Sequence, residues 1–378
     1  MRRAGAAKVA APTLRAPRQR NPGPPIVSSR PPLKKAPSGR SAGREAGAVT
    51  LDQVAARAGV SPSTVSRILN GTAAVSGAKK DAVEAAIREL GFRPNPVARG
   101  LAGGRSMSIG VVTQIISSPF YGEALSGIER ELDGAGYVPL FVSGHWNEAD
   151  ERKALETLLA RRVDGIIVLA GRLSDAELLR LSESLPMVVV GRQITGPQLF
   201  SCSFDHRTGA RLATEHLIGL GHRRIALLLG DGIHEDSSDR HRGYLDALAA
   251  AGIAPDPQLV VQGDYTEASG LEGVQRLLER DTGFTALFSS NDQMAIGALL
   301  GLSRRGLRVP DDVSIVGFDD LVPSRYMLPP LTTVRHAIYE IGVQAAAAML
   351  ALLRGAPPQV RMPVPELVLR ESARRLAR

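Results

Sequence analysis

Residues 61–70 read Ser-Pro-Ser-Thr-Val-Ser-Arg-Ile-Leu-Asn, and they hold the densest set of groups suited to a polyanion. Ser61, Ser63, Thr64 and Ser66 offer hydroxyls, Arg67 a guanidinium and Asn70 an amide, with no carboxylate among them. Hydroxyls and amides of this kind hold phosphate oxygens. An arginine fork fits either a phosphate or the two acceptors on the major-groove edge of guanine. For these side chains to share a face the segment must be helical, with Val65, Ile68 and Leu69 turned inward. Ser61 can cap such a helix, and Pro62 loses no hydrogen bond at its first position.

The elements around it must supply the support. Thr50 and Gln53 have capping-box spacing, and Leu51, Val54, Ala55 and Ala58 form one apolar stripe, which predicts a helix over about 51–58. Gly59 supplies the left-handed residue that a tight helix–helix turn needs. A third helix is predicted at about 77–90, with Val83, Ile87 and Leu90 buried and Gly91 as its stop. The alternative is a helical hairpin inside some other fold.

Charge is unevenly spread along the chain. Net charge is +8 overall. Residues 1–48 carry 11 Lys and Arg against the single acid Glu45, and residues 49–105 carry 8 against 4. The remainder, 106–378, carries 27 against 33 and is net acidic. The first segment is rich in Arg, Pro, Ala and Gly and poor in large apolar residues, which predicts a disordered basic tail. Such a tail adds salt-sensitive affinity for DNA; the alternative is an inert extension or a start site placed too early. A single cysteine, no long apolar run and no apolar core behind the N-terminal basic residues argue against a disulfide scaffold, a membrane span and a secretory signal. The expectation is a cytoplasmic protein.

Residues 92–104, Phe-Arg-Pro-Asn-Pro-Val-Ala-Arg-Gly-Leu-Ala-Gly-Gly, read as a hinge. Pro-Asn-Pro breaks the third helix, and Pro96 opens a short helix carrying Val97, Ala98, Arg99 and Leu101; a plain linker is the alternative. From Met107 the pattern becomes short apolar runs with helical segments between many of them. The runs are SIGVVTQI, YVPLFVSG, VDGIIVLA, PMVVVG, RRIALLLG, ALFSSN and VSIVGFDD. This rhythm predicts parallel sheets with right-handed crossovers, and its length suits two lobes. The domains are then 1–48 (tail), 49–94 (headpiece), 95–105 (hinge) and 106–378 (sensor and dimerisation domain).

Ligands in such folds sit outside the carboxyl ends of the strands. Those ends carry polar and aromatic residues here: Ser117-Ser118-Pro119-Phe120-Tyr121, Trp146-Asn147, Asn291-Asp292 and Phe318-Asp319-Asp320. No glycine-rich phosphate loop and no nucleophile elbow occurs, which argues against an enzyme. Asp311-Asp312 and Asp319-Asp320 flank one strand unit and suit turn and ligand roles better than acid–base catalysis. His234, Glu235, Asp236, Asp239 and His241 can be read as a metal cluster or, better, as a solvated rim. No zinc spacing is present, so no metal and no cofactor is expected. His222 is expected to be structural.

Residues 49–371 resemble the LacI/GalR (lactose-repressor/galactose-repressor) family of bacterial transcription regulators. The resemblance rests on TLDQVAARAGVSPSTVSRILN, RPNPVARGLAGG, RRVDGIIV, LGHRRIALL, NDQMAIGAL, LRVPDDVSIVGFDD and PPLTTVRH. It implies an all-α helix-turn-helix headpiece with a hinge helix, followed by a two-lobed α/β sensor like the periplasmic sugar-binding proteins. It also implies a homodimer on a near-palindromic double-stranded operator, usually repressing, with a small effector that changes DNA affinity.

Carried over by motif, Pro62, Ser63 and Arg67 read bases, while Thr50, Ser61, Thr64, Ser66 and Asn70 mostly hold phosphates. Asn95, Val97 and Arg99 contact DNA from the hinge, and Leu101 wedges into the minor groove. Gly100 departs from the pattern and lowers helicity by roughly 1 kcal/mol relative to Ala. In the sensor, Phe120, Tyr121, Arg240, Tyr265, Asn291 and Asp319 match effector contacts, and Asp292 matches a structural acid. Asp and Arg gripping hydroxyls over an aromatic face suit a sugar. His336 stands where many relatives have Gln, and Arg192 where several present Asp. An anionic sugar held by Arg192 and Arg240 is therefore one option, and a nucleobase another. A transporter's sugar-binding protein shares the sensor but has no use for a headpiece. No leucine heptad follows the last strand, so a dimer is expected rather than a tetramer.

Overall fold

The computed structural model describes residues 49–70, 76–92, 105–232 and 235–376. The basic tail and the hinge residues Asn95, Val97, Arg99, Gly100 and Leu101 lie outside the described residues, as do His234 and the side chain of Asn70. The chain divides into two compact units, Met1–Arg93 and Pro94–Arg378.

In the first unit, α1 (Leu51–Ala58), α2 (Pro62–Asn70) and α3 (Gly77–Leu90) fall where the periodicity places them. Thr50 and Gln53 form the reciprocal capping box, worth about 1 kcal/mol. Gly59 and Gly91 end their helices at φ +65°. Val54, Ala55, Val65, Val83, Ala86 and Phe92 form the buried core. Ile87 and Leu90, expected inside, are only half-buried against it; Ala86 and Phe92 take the interior instead. Helices as short as α1 and α2 are marginal alone, so this core is what holds them.

The second unit has two sheets. One runs β2-β1-β3-β4-β5, from β1 (Ser108–Thr113), β2 (Val138–Ser143), β3 (Gly165–Leu169), β4 (Met187–Val190) and β5 (Leu199–Cys202), all parallel. The other runs β11-β10-β9-β8-β6-β7, from β6 (Ile225–Leu229), β7 (Val260–Gln262), β8 (Ala286–Ser289), β9 (Ser314–Asp319), β10 (Thr332–Arg335) and β11 (Glu366–Val368). It is parallel except for β11, which pairs antiparallel with β10 and departs from the all-parallel expectation. The first lobe carries α4 (Pro119–Gly134), α5 (Glu148–Ala160) and α6 (Asp175–Ser182). The second carries α7 (His206–Gly219), α8 (Glu235–Ala250), α9 (Glu267–Glu279) and α10 (Asp292–Arg304). Then α11 (Ile338–Leu353) returns to pack on α4 and on β3 and β4, and β11 crosses back again. The chain therefore crosses between lobes after β5, after β10 and after α11. Among the described residues no helix is long and apolar enough to cross a membrane.

Helices pack in close pairs, α4 with α11, α7 with α8 and α9 with α10. The last pair depends on Gly297, where an added β-carbon would overlap the Glu267 carbonyl oxygen and crowd the Leu271 nitrogen. Gly297→Ala is expected to lower the stability of the sensor by about 1–3 kcal/mol, read by thermal unfolding, because backbone has to move.

Candidate nucleic-acid interface and ligand cleft

The outward face of α2 is built from its first two turns. Ser61 Oγ accepts from Thr64 N at 3.2 Å and lies 2.9 Å from Ser63 Oγ and 2.8 Å from Thr64 Oγ1. Pro62 and Ser63 are exposed at the positive end of the helix, whose first turn carries no acid. Arg67 folds back one turn: its Nε donates to Ser63 O at 3.2 Å and its Nη2 to Ser63 Oγ at 3.4 Å. Of the three expected base readers, all exposed, Ser63 and Arg67 thus stand side by side next to Pro62. Thr50 uses its hydroxyl oxygen to cap α1, accepting from Gln53 N at 3.3 Å, and still has a proton to give. Thr64 and Ser66 are half-buried on the same helix.

In the sensor, side chains that follow the carboxyl ends of strands in both sheets gather at one site, where Phe120 of the first lobe packs on His336. Arg240 lies at its centre, on the second turn of α8, only 2 % exposed. Its guanidinium carbon stands 4.1 Å above the Phe318 ring and 5.6 Å from that of Tyr265. It donates to Ser290 O, to His206 Nδ1 at 3.3 Å and to Asp236 Oδ2 at 3.4 Å. Burial alone would weaken this cation, but Tyr265, Asp236, Asp319 and Asp292 together hold its pKa above the usual arginine value. Tyr265 and Asp319 adopt φ of +69° and +117°, a left-handed backbone that non-glycine residues keep only where their surroundings impose it. Tyr265 can lie across the end of β6 because residue 230 is glycine; a β-carbon there would overlap the phenol ring.

His336, on the crossing after β10, places Nδ1 3.4 Å from Asp319 Oδ1. Its ring is packed by Phe204 at 4.3 Å, His206 at 4.9 Å and Phe120 at 5.2 Å between centroids. Burial, then Arg240, pushes His336 down to about 3, so it is a neutral imidazole. Burial and Asp236 push Asp319 up to about 7 against the pull of Arg240. From the first lobe Phe120 meets Tyr121 edge-on at 5.3 Å, and Tyr121 meets Trp146 at 6.5 Å. Tyr121 is pushed up by burial and by the charges of Asp236, Tyr265 and Asp319, which places it among second-lobe groups.

Six of the eight expected effector residues therefore gather in one place: Phe120, Tyr121, Arg240, Tyr265, Asp319 and His336. Asn291 is beside them but already committed. Its Oδ1 accepts from Met294 N as the cap of α10, and its Nδ2 donates to Tyr265 O at 2.9 Å. It holds Tyr265 in place, and its amide keeps a second proton and a second lone pair. Arg192 is the departure. Its guanidinium donates to Gly171 O and Leu173 O and pairs with Asp175 at 3.3 Å, so it braces a first-lobe loop and does not join Arg240. The reason is local: backbone carbonyls of residues 171–173 surround a side chain that has only 18 % exposure.

Asp292 is structural, as expected. It accepts from Leu321 N, Ser324 Oγ and Thr333 Oγ1, and ties β10 to the loop after β9. His222 bridges Thr285 Oγ1 and Arg374 O. The residues read as a metal cluster disperse: Asp236 to Arg240, Asp239 to Arg242 at 3.4 Å, His241 against Tyr244. Sequence reasoning missed Phe204 and His206, and placed Asp236 on a solvated rim without a role of its own. The first two lie in the crossing after β5, which no apolar run announces; Asp236 stands one turn before Arg240, a helical spacing that was the available signal.

An acid-free helix able to read DNA and a two-lobed ligand cleft, joined in one chain, define a ligand-responsive DNA-binding regulator. Residues 50–95 match the bacterial regulatory proteins of the lacI family, and residues 214–373 a periplasmic binding protein-like domain. The chain is 40% identical over 326 residues to the HTH-type transcriptional regulator GalR of Escherichia coli (strain K12), covering 85% of this chain and 95% of that protein. The solved lac repressor dimer bound to operator and the anti-inducer ONPF matches at 32% identity with TM-score 0.78, covering 87% of this chain and 100% of that one. The complex of the regulator CelR with cellobiose matches at 33% identity with TM-score 0.65, covering 86% of this chain and 100% of that one. The protein belongs to the LacI/GalR family of bacterial transcription regulators.

The raised pKa of Asp319 has a defined consequence for stability. Between about pH 4 and 7 the folded protein keeps a proton that the unfolded chain has lost, so this group's contribution worsens across that interval and levels off above 7. Asp319→Asn is expected to raise the melting temperature relative to the parent by a few degrees at pH 8 and by less at pH 5.5. An equal shift at both values would contradict this assignment.

Proposed function

We propose that this protein is a repressor that binds a near-palindromic operator as a homodimer and changes its operator affinity when a small carbohydrate-type effector occupies the sensor cleft. The observation that carries the reading is the convergence of Arg240, Asp319 and His336 with the Phe120, Tyr121 and Tyr265 rings. Directional polar groups over aromatic faces suit a polyhydroxyl ring. Relatives solved with ONPF and with cellobiose point the same way. On the DNA side Ser63 and Arg67 read bases, Pro62 offers apolar contact, and Thr50, Ser61, Thr64, Ser66 and Asn70 hold phosphates. Asn95, Val97, Arg99 and Leu101 act from the hinge. The protein works in the cytoplasm, by binding and not by catalysis.

Dimerisation draws support from the surface of the second lobe. Val322, Tyr326 and Leu328 are exposed at 52%, 81% and 95%, beside α10 with its exposed Leu300. Exposed apolar side chains gathered in this way mark association surfaces. Light scattering is expected to give twice the mass of one chain, and Tyr326→Asp combined with Leu328→Asp to give a monomer with weakened operator binding.

Arg67→Ala is expected to cost at least about 2 kcal/mol of specific operator binding, some thirtyfold, while effector binding to the sensor is unchanged. Titration of labelled operator alongside calorimetry with the effector measures both. Unchanged operator affinity would remove Arg67 from the DNA face.

A further inference from the structure

Asp236, read from the sequence as part of a solvated rim, was given no effector role by the resemblance. It sits one helical turn before Arg240, with Oδ2 3.4 Å from Arg240 Nη2 and 3.4 Å from the Tyr265 hydroxyl, which donates to it. Its Oδ1 accepts from Ser237 N at 2.9 Å, which fixes the carboxylate plane. The side chain is 31% exposed while that of Arg240 is 3% exposed, so Asp236 stands on the open side of the pair. Its two side-chain partners, Arg240 and Tyr265, are themselves among the residues proposed to hold the effector. It therefore faces the same space as the residues proposed to hold the effector.

The charge of that space follows. Arg240 is paired with Asp236 and further engaged by Ser290 O and His206. Arg192 is held by first-lobe carbonyls and Asp175. His206 and His336 are both driven towards the neutral form, chiefly by burial. Asp236 stands on the open side of Arg240, and Asp319, pushed up to about 7, is largely a carboxylate at pH 8. An incoming anion would find both arginines occupied and two carboxylates opposing it. An uncharged polyol would find acceptors for its hydroxyl protons at both carboxylates and aromatic faces for its C–H surface.

We propose that Asp236 sets the charge selectivity of this cleft: by occupying Arg240 it restricts the effector to uncharged sugars and excludes their uronate and phosphate counterparts. This rests on the sugar reading above and deepens it. The experiment uses the full chain at pH 8, by isothermal calorimetry, with a panel of neutral mono- and disaccharides, each beside its uronate and its phosphate ester. The parent protein is expected to bind a neutral member at least about 10-fold more tightly than its acidic partners. Asp236→Asn, which keeps the shape but frees Arg240, is expected to narrow that preference by about 10-fold or more, and Asp236→Glu to keep it. A parent protein that takes the uronate or phosphate as well as the neutral sugar overturns the proposal and leaves the sugar-responsive regulator standing. A preference unchanged in Asp236→Asn overturns the role of Asp236. Binding of no member of the panel overturns the proposal together with the sugar reading.

Discussion

A buried guanidinium organises the sensor. Arg240 is a permanent charge in a site nearly closed to water, and such a charge persists only when its donors and its field are satisfied from several directions. Around it stand an acid from its own helix, a carbonyl at the end of β8, an imidazole from the crossing after β5, and the Phe318 and Tyr265 rings. Local backbone has to yield to this arrangement, and it does so at Tyr265 and Asp319, the two partners that adopt left-handed φ. The bare α-carbon of Gly230 belongs to the same solution, because the Tyr265 ring occupies the space a side chain would need.

The same residues sit where the lobes are joined. Phe204 and His206 flank the crossing after β5, and His336 and Ala337 form the crossing after β10, with Ala337 at φ +52°. A change of angle between the lobes acts at these crossings, since the sheets and the tight helix pairs resist deformation. Ser118, at the start of α4, already spans the gap by donating to Gln293 of α10 at 3.1 Å. An occupant that engages Asp319 and His336 from one side and Phe120 and Tyr121 from the other therefore biases the angle directly. In the proposed reading no separate relay is required, because the groups proposed to bind are the groups that join.

What could be read from residues alone followed physical rules, and so did what could not. The capping box at Thr50, the stops at Gly59 and Gly91, and the seven apolar runs were legible because they are local. The strands at 199–202, 260–262, 332–335 and 366–368 were not. Three are sheet edges of three or four residues. The fourth, β10, is internal but polar: Thr333 is buried because its hydroxyl donates to Asp292, and Thr332 because its hydroxyl accepts from Arg370 N. In the cleft, Arg240 and Asp319 were legible as types in a motif. The departure at Arg192 was not, because its partners are backbone carbonyls, which carry no signature in the sequence. Asn291 reads as a ligand contact, and its further roles in capping α10 and holding Tyr265 appear only in the fold.

The headpiece repeats the principle on a smaller scale. Among the described residues of α2, Val65 is the one fully buried side chain, and half-buried Ile68 and Leu69 seat the helix on the same small core. That leaves the first two turns to be set by polar contacts, and Ser61, Ser63 and Thr64 make them with one another. Arg67 is drawn into this set through both the carbonyl and the hydroxyl of Ser63, so its long side chain has already lost part of its freedom. In the proposed reading that prior ordering lowers the entropy lost on meeting a base edge. Pro62 has neither an amide proton nor a polar side chain, so in the same proposed reading an operator is selected at its place by apolar fit, and hydrogen-bonded discrimination falls to Ser63 and Arg67.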